Sequence, residues 1–349
     1  MRIVGIREVA RKAGVHASTV SLALRLSPRV HPTTRERIVE VARKLGYRSL
    51  PGVRQLMFQL RTGRAPAATQ AELALISCVN QEFPVDGNPI VKAVFRGAAT
   101  EAGTLGYRLE RFVVGPGHLS QTRLRQILVA RGIQGCLVYP GQFVPESDPL
   151  AWGSFAWVRI GHTLQPPRIP EVVSNHLQLL KLALEHATAR GECRIALALT
   201  PAYDRVTLGA YVAGFLEWQH RRPAGILLEP LHLSDDLDAA ASRLRSLVTK
   251  VKPEVVVVPN ARALAPVMKR AGLVPSSLPP CISLHVSTGE RWYAGIDQRD
   301  ALLGAMAVRQ LDGAITRFRT GLEAEPAVTL VDGVWRDGPS FQRALVGSD

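Results

Sequence analysis

The chain has 349 residues, 46% hydrophobic and 21% charged, too long for one small module and apolar enough to bury a sizeable core, which excludes wholesale disorder and a fibrous repeat. No apolar run reaches the ~18–20 residues of a spanning helix, and the opening MRIVGIREVARKAG lacks the continuous apolar segment of an export signal, so the sequence reads as soluble and cytoplasmic. The net charge of +14 is lopsided: residues 1–64 hold fourteen Lys and Arg against Glu8, Glu36 and Glu40, while the other 285 residues carry 29 bases and 26 acids.

A compact basic module on a nearly neutral body suits a polyanionic partner. In IREVARKAGV, Ile6, Val9, Ala10 and Ala13 fall on one helical face and Arg7, Arg11 and Lys12 on the other. Gly14 interrupts the pattern, and HASTVSLALR resumes it with Val20, Ala23 and Leu24 facing inward. PTTRERIVEVARKLGY adds a third helix, with Pro32 at its start, acids early, bases late, Gly46 as a stop, and Ile38, Val41, Ala42 and Leu45 as its buried stripe. Three short helices with such a turn make a helix-turn-helix unit, whose second helix enters a DNA major groove by its N-terminal end. Ala17 and Ser18 would then face base edges, Thr19 and Ser21 phosphate oxygens, and Leu22 a thymine methyl. On pattern alone, a three-helix bundle without DNA affinity stays open.

The order I-R-E-V-A-R-K-A-G-V, S-T-V-S, S-P-R-V, T-R-E-R-I and A-R-K-L-G-Y-R closely resembles the headpiece of the lactose-repressor and purine-repressor family of bacterial transcription regulators, through about the first 64 residues. The resemblance implies base reading by Ala17, Ser18 and Leu22, and seating on the DNA backbone by Thr19, Ser21 and Tyr47. His16 replaces the usual serine cap, and Leu22 stands where arginine is common, which removes a bidentate guanine contact and alters the preferred operator. Arg25 and Arg29 are candidates to compensate, with phosphate contact or simple solvation as the plainer reading. Val53-Arg54-Gln55-Leu56 resembles the family's hinge helix, whose leucine, here Leu56, wedges between base pairs from the minor groove, although Pro51-Gly52 leaves a plain linker helix open. The expected domains are a headpiece at 1–48, a hinge at 49–64, and an effector-binding and dimerisation domain at 65–349.

From Ala71 short apolar runs alternate with helical patterns: ELALISCV, a helix near 89–105, YRLERFVV, a helix near 120–131 and GCLVYP. After about residue 172 the rhythm resumes with a helix at 175–190, RIALALT, a helix near 204–220, GILLEPLHL, a helix near 236–250, EVVVVPN, a helix at 261–271 and CISLHV. This is an α/β body of mostly parallel sheets covered on both faces. Crossings near 163–174 and 295–300 make it resemble the family's two-lobed, periplasmic-binding-protein-like domain. Ligands in such folds lie beyond the carboxyl ends of strands, here in the cleft between lobes, which nominates Asn80, Tyr139, Asn260 and His285. Asn260 matches an asparagine that holds the effector in relatives; Tyr211 stands where an arginine is common, His285 lies near an expected aspartate, Arg205 is close in sequence but out of register, and Asp297 is either a ligand or a helix cap.

Cys78, Cys136, Cys193 and Cys281 have no C-x-x-C pairing and read as reduced, mostly buried thiols, with no metal or cofactor expected. No G-x-S-x-G, H-E-x-x-H or G-K-[ST] loop is present, so an enzyme is not expected, and an exported sugar carrier would need neither the basic head nor the missing signal. The resemblance implies a homodimeric regulator, commonly a repressor, on a palindromic double-stranded operator, controlled by a small sugar-related effector, with no membrane partner. The alternatives are a constitutive DNA-binding regulator with a degenerate effector site, and a two-lobed small-molecule receptor.

Overall fold

A computed structural model describes residues 5–24, 30–45, 71–78, 87–139, 153–162, 168–191, 194–222, 228–273, 279–287, 289–317, 319–321 and 326–341. The N-terminal three-helix unit consists of α1 (Ile6–Ala13), α2 (Ala17–Leu24) and α3 (Pro32–Lys44). α1 stops at Gly14, whose φ of 64° returns its N–H to the Ala10 carbonyl. A Cβ in that left-handed conformation would be strained, which is why glycine stands there. Val9, Ala10, Ala13, Val20, Ala23, Val30, Ile38 and Ala42 close into one buried cluster, with Ile6, Leu24, Val41 and Leu45 half-buried against it. The stripes expected from the sequence therefore meet in a single small core. Arg25, Arg29, Tyr47, Arg54, Leu56 and the whole expected hinge lie outside the described residues.

The body continues with β1 (Ala71–Cys78), α4 (Pro89–Thr104), β2 (Tyr107–Val114), α5 (Gln121–Arg131), β3 (Gly135–Val138), β4 (Ala156–Ile160) and β5 (Glu171–Ser174). Then come α6 (His176–Ala189), β6 (Ile195–Leu199), α7 (Pro201–Val206), α8 (Ala210–His220), β7 (Leu231–His232), α9 (Leu237–Ser246), β8 (Val255–Val258), α10 (Ala261–Arg270), β9 (Cys281–Ser283) and β10 (Ala294–Asp297). α11 (Asp300–Thr316), β11 (Val328–Val331) and β12 (Val334–Arg336) complete it. Two six-stranded sheets result, ordered β11-β5-β4-β3-β1-β2 and β12-β10-β9-β8-β6-β7. Their central pairs are parallel, while β12 runs antiparallel to β10. Two compact units follow, 1–172 with 301–329 and 173–300 with 330–349, so the chain changes unit within β5, at the start of α11 and within β11.

Both faces of the second sheet are dry, and strand alternation shows why its strands read as unbroken apolar runs. Ile195, Leu197, Leu199, Val255 and Val257 face α6 and α8, whereas Ala196, Ala198, Val256 and Val258 join the cluster under α9 and α10. In the first unit Ala74, Ile76, Phe112, Cys136, Val138 and Trp157 pack on Leu124 and Leu128 of α5. The opposite face is crossed by α4 and α11, where Gly97 and Gly304 bring the two helix backbones into direct contact.

Three expected elements differ. The helix near 204–220 is two helices, because Leu208 (φ 54°) and Gly209 (φ 71°) are both left-handed and restart the chain at α8. The helix near 236–250 leaves α geometry after Ser246 for a π-helical turn, Leu247–Val251. Among the described residues of GILLEPLHL, 228–233, Leu231–His232 pairs as a strand. No helix among the described residues is long and apolar enough to cross a membrane.

Candidate functional site

On the three-helix unit, the residues nominated for DNA gather at the start of α2. His16 and Ser18 are exposed, and Ala17, Thr19, Ser21 and Leu22 are half-buried. Ala17 and Leu22 also rest on the small core, so part of each side chain is committed to packing. The His16 carbonyl accepts from Thr19 N at 2.9 Å and Val20 N at 3.2 Å, and its Nδ1 lies 2.8 Å from Ser18 Oγ. Small hydroxyls at a helix N-terminus, on a module with a large excess of bases, can hold phosphate and read groove edges.

In the second unit the nominated residues follow parallel strands. Asn260 follows β8, and its side chain hydrogen-bonds the Tyr203 hydroxyl on α7, which burial pushes up to about 12. His285 follows β9, with Nε2 3.1 Å from Asp300 Oδ2. Ser283 stitches these two loops, accepting from Ala261 N at 3.1 Å and donating to the His285 carbonyl at 2.8 Å. Asp297 Oδ1 accepts from Arg299 N at 2.8 Å, so this carboxylate fixes a turn before α11 in which Arg299 has φ 59°. Arg205 is exposed on α7.

Tyr211, on α8, faces inward. It is 2% exposed, its ring lies 5.3 Å from that of His176, and its hydroxyl bonds Gln298, with burial pushing its pKa upward. Gln298 is otherwise fully used, accepting from Ser174 Oγ at 2.8 Å and donating to the Leu284 carbonyl at 2.8 Å. Where an arginine would offer charge to a ligand, this chain has a phenol tied into its own core. The sequence reading overlooked Tyr203, Ser283 and Asp300, and had Gln298 only as the neighbour of Asp297 in AGIDQ, a segment that resembles one leading into a helix in the family.

In the first unit, Tyr139 follows β3, its N–H donating to the Ile76 carbonyl and its carbonyl accepting from Ser77 Oγ, both at 2.9 Å. Asn80 lies outside the described residues. The sequence reading also overlooked Arg159 on β4, 2% exposed, whose Nη1 lies 3.3 Å from Glu171 Oε1; His162 Nδ1 lies 3.2 Å from the other carboxylate oxygen. Burial pulls the guanidinium below its ordinary value, and Glu171 opposes that pull. An arginine inside the apolar run AWVRI was the available signal. Glu171→Ala strands this cation, so we expect a loss of about 3–5 kcal/mol of stability in urea unfolding, with Arg159→Met milder. The reverse order of severity would show that the pair is not the anchor.

Burial pushes the Cys78 thiol up to about 11 and that of Cys281 to about 12, and raises Cys136 as well, so all three stay protonated and unreactive; Cys193 is not among the described residues. No group of three or more His, Cys, Asp or Glu among the described residues could hold a metal ion.

Residues 5–49 match the family model described as bacterial regulatory proteins, lacI family. The HTH-type transcriptional regulator MalR of Streptomyces coelicolor is 24% identical over 202 residues, covering 56% of this chain and 54% of MalR; the chain spans about half the length of the curated relatives it matches. The lac repressor dimer bound to operator and the anti-inducer ONPF superposes with TM-score 0.56 at 18% identity, covering 98% of this chain and 100% of that one. A CelR–cellobiose complex gives 0.55 at 18%, covering 97% and 99%. At such identities the structural likeness establishes the fold. Residues 5–49 are therefore similar to the headpiece of the lacI family of bacterial regulatory proteins, and the chain has the fold of the lac repressor.

Proposed function

We propose that this protein is a cytoplasmic transcriptional regulator, a repressor, that binds a palindromic DNA operator as a homodimer and answers to a small sugar-related effector. The observation that carries the reading is the strongly basic three-helix unit, folded around its own core, with His16 and Ser18 exposed at the N-terminal end of α2. Its role is one of binding rather than catalysis, in keeping with the regulators it resembles. Two headpieces on one duplex read adjacent major grooves, and Leu56, carried over from the hinge resemblance, wedges the minor groove between them. Arg25, Arg29, Tyr47 and Arg54 supply phosphate contacts in this reading. Selection from a random duplex pool with the full chain tests it: a two-fold symmetric site should be enriched and its affinity should fall steeply with salt. A pool with no enrichment, even at low ionic strength, overturns the reading.

The effector contacts the carboxyl ends of the body's strands, where Asn260, Tyr203 and His285 offer hydrogen-bonding groups and where Asn80, Tyr139, Arg205 and Asp297 are the further candidates. CelR, in its cellobiose complex, supports a sugar as the class. Asn260→Ala should weaken the effector response about tenfold, the cost of one buried polar contact, with effector-free operator affinity retained. An unchanged dose-response in an operator-release titration removes Asn260 from the site.

A second reading rests on Tyr211. With that side chain spent on Gln298, the ordinary charged contact is missing, which favours a constitutive DNA-binding regulator whose effector site has degenerated. A panel of sugars that leaves the operator complex intact at millimolar concentration would select it.

A further inference from the structure

The end of α2 that would read DNA is its amino end, where His16 and Ser18 are exposed. Its other end is held from a distance: Gln134 Nε2 donates to the Leu24 carbonyl at 2.6 Å, across 110 positions of chain. The last four carbonyls of a helix have no partner within it, and they are ordinarily met by a left-handed glycine, as Gly14 closes α1, or by a basic side chain in the last turn. α2 has no basic residue in its last turn. Its final carbonyl is met by the body instead.

Gln134 sits between two fixed points. Before it, α5 ends at the left-handed Gly132 (φ 66°), whose N–H donates to the Val129 carbonyl at 3.1 Å, while Ile133 N–H donates to the Leu128 carbonyl at 3.0 Å. This double closure fixes the exit of the chain, and the Ile133 side chain is buried in the first unit's core. After it, β3 begins at Gly135, where a Cβ would lie 2.6 Å from Ile315 Cδ1 on α11, and the Gln134 carbonyl itself accepts from Ala156 N of β4 at 2.8 Å. The amide is therefore presented from a rigid platform, which is what precise placement of a partner requires. The eight residues of α2 span about 12 Å, so a hold on Leu24 leaves the Ser18 end exposed.

We propose that Gln134 is a positioning residue for operator binding: its amide clamps the carboxyl end of α2 to the body, so that the two headpieces of a dimer meet the duplex at a set separation and angle. The inference rests on the DNA-binding reading above and adds to it a source of spacing specificity that lies outside the headpiece. A head on a free tether follows its half-site wherever that lies, whereas a clamped head fits one spacing. A single added base pair turns one half-site by roughly a tenth of a helical turn about the duplex axis, which a clamped pair of heads cannot follow without breaking a contact.

The test compares three duplexes with the full chain at one ionic strength: the symmetric site recovered by selection, the same site with one base pair added at its centre, and a single half-site. The parent should prefer the first over the second by about tenfold or more. Gln134→Met removes the donor and Gln134→Glu sets an acceptor against the carbonyl. Each should cut that preference about three- to tenfold, the range of one neutral hydrogen bond, with half-site affinity unchanged. Gln134→Lys returns an N–H donor at similar reach and should restore the preference; its added charge favours both duplexes alike and cancels in the ratio. Gln134 is half-buried and outside the apolar clusters, so these variants leave the core intact. A preference unchanged in the Met and Glu variants overturns the inference, as do a parent with no preference, a Lys variant no better than Met, and a loss of half-site affinity in step with the preference. A Gln134→Met protein that binds the selected site more tightly than the parent also overturns it, by showing that the contact masks the head instead of placing it. If the parent enriches no symmetric site from the pool, the regulator reading itself falls, and this inference with it.

Discussion

Removal of residues 1–64 should abolish binding to duplex DNA, specific and nonspecific alike, in a gel-shift or anisotropy titration at low salt. The expected loss is large because the electrostatic contribution is concentrated there: the deletion takes fourteen bases and three acids, leaving a body with 29 bases and 26 acids. Nonspecific DNA affinity scales with the phosphates neutralised, so a nearly neutral body has little to hold a duplex with. The remaining units keep their own sheets and clusters, so circular dichroism of the truncated protein should show folded α/β structure. A truncated protein that shifts selected duplex at the parent concentration would move the DNA-binding surface to the body.

Gly304→Val should be strongly destabilising to the first unit. Gly304 sits on α11 where it crosses α4, and a Cβ there would overlap the Val94 carbonyl oxygen and lie 2.8 Å from Ala98 N. Those are backbone atoms, which cannot swing aside as a side-chain tip can. Overpacking of a core usually costs about 1–3 kcal/mol, and a clash between two helix backbones belongs at or above the upper end. Gly103, near the end of α4, has nothing within 4 Å of its would-be Cβ. Gly103→Ala should therefore stabilise the protein by about 0.5–1 kcal/mol through lost freedom in the unfolded chain. Equal effects of the two substitutions in urea denaturation would show that the helices do not meet at Gly304.

The headpiece was legible because each helix carries its own punctuation. Gly14 and Pro32 set boundaries, and the stripes from Val9 to Ala42 are near in sequence and so predictable locally. The parallel strands were legible for a related reason: burial on both faces makes VVVV at 255–258 apolar throughout, whichever way it points. Less accessible was anything set by a partner distant in the chain. The break at Leu208 is a left-handed residue that no local rule requires, and β4 hides because Arg159, charged yet buried, finds Glu171 on the next strand. The strand ends were legible as positions: Asn260 follows β8 and His285 follows β9 as the pattern placed them, but the inward turn of Tyr211 depends on Gln298, 87 positions later.

The order of the units along the chain also bears on how the protein is made. The first unit comprises residues 1–172 and 301–329, so its sheet waits for β11 and its outer face for α11. On the ribosome the three-helix head can close once its own residues have emerged, and the second unit is nearly complete before the first has received its last helix. During synthesis the α4 face of the first unit, with Gly97 at its centre, stays uncovered for more than a hundred and fifty residues of elongation. A nascent chain arrested before α11 would therefore present a finished three-helix head on an unfinished body.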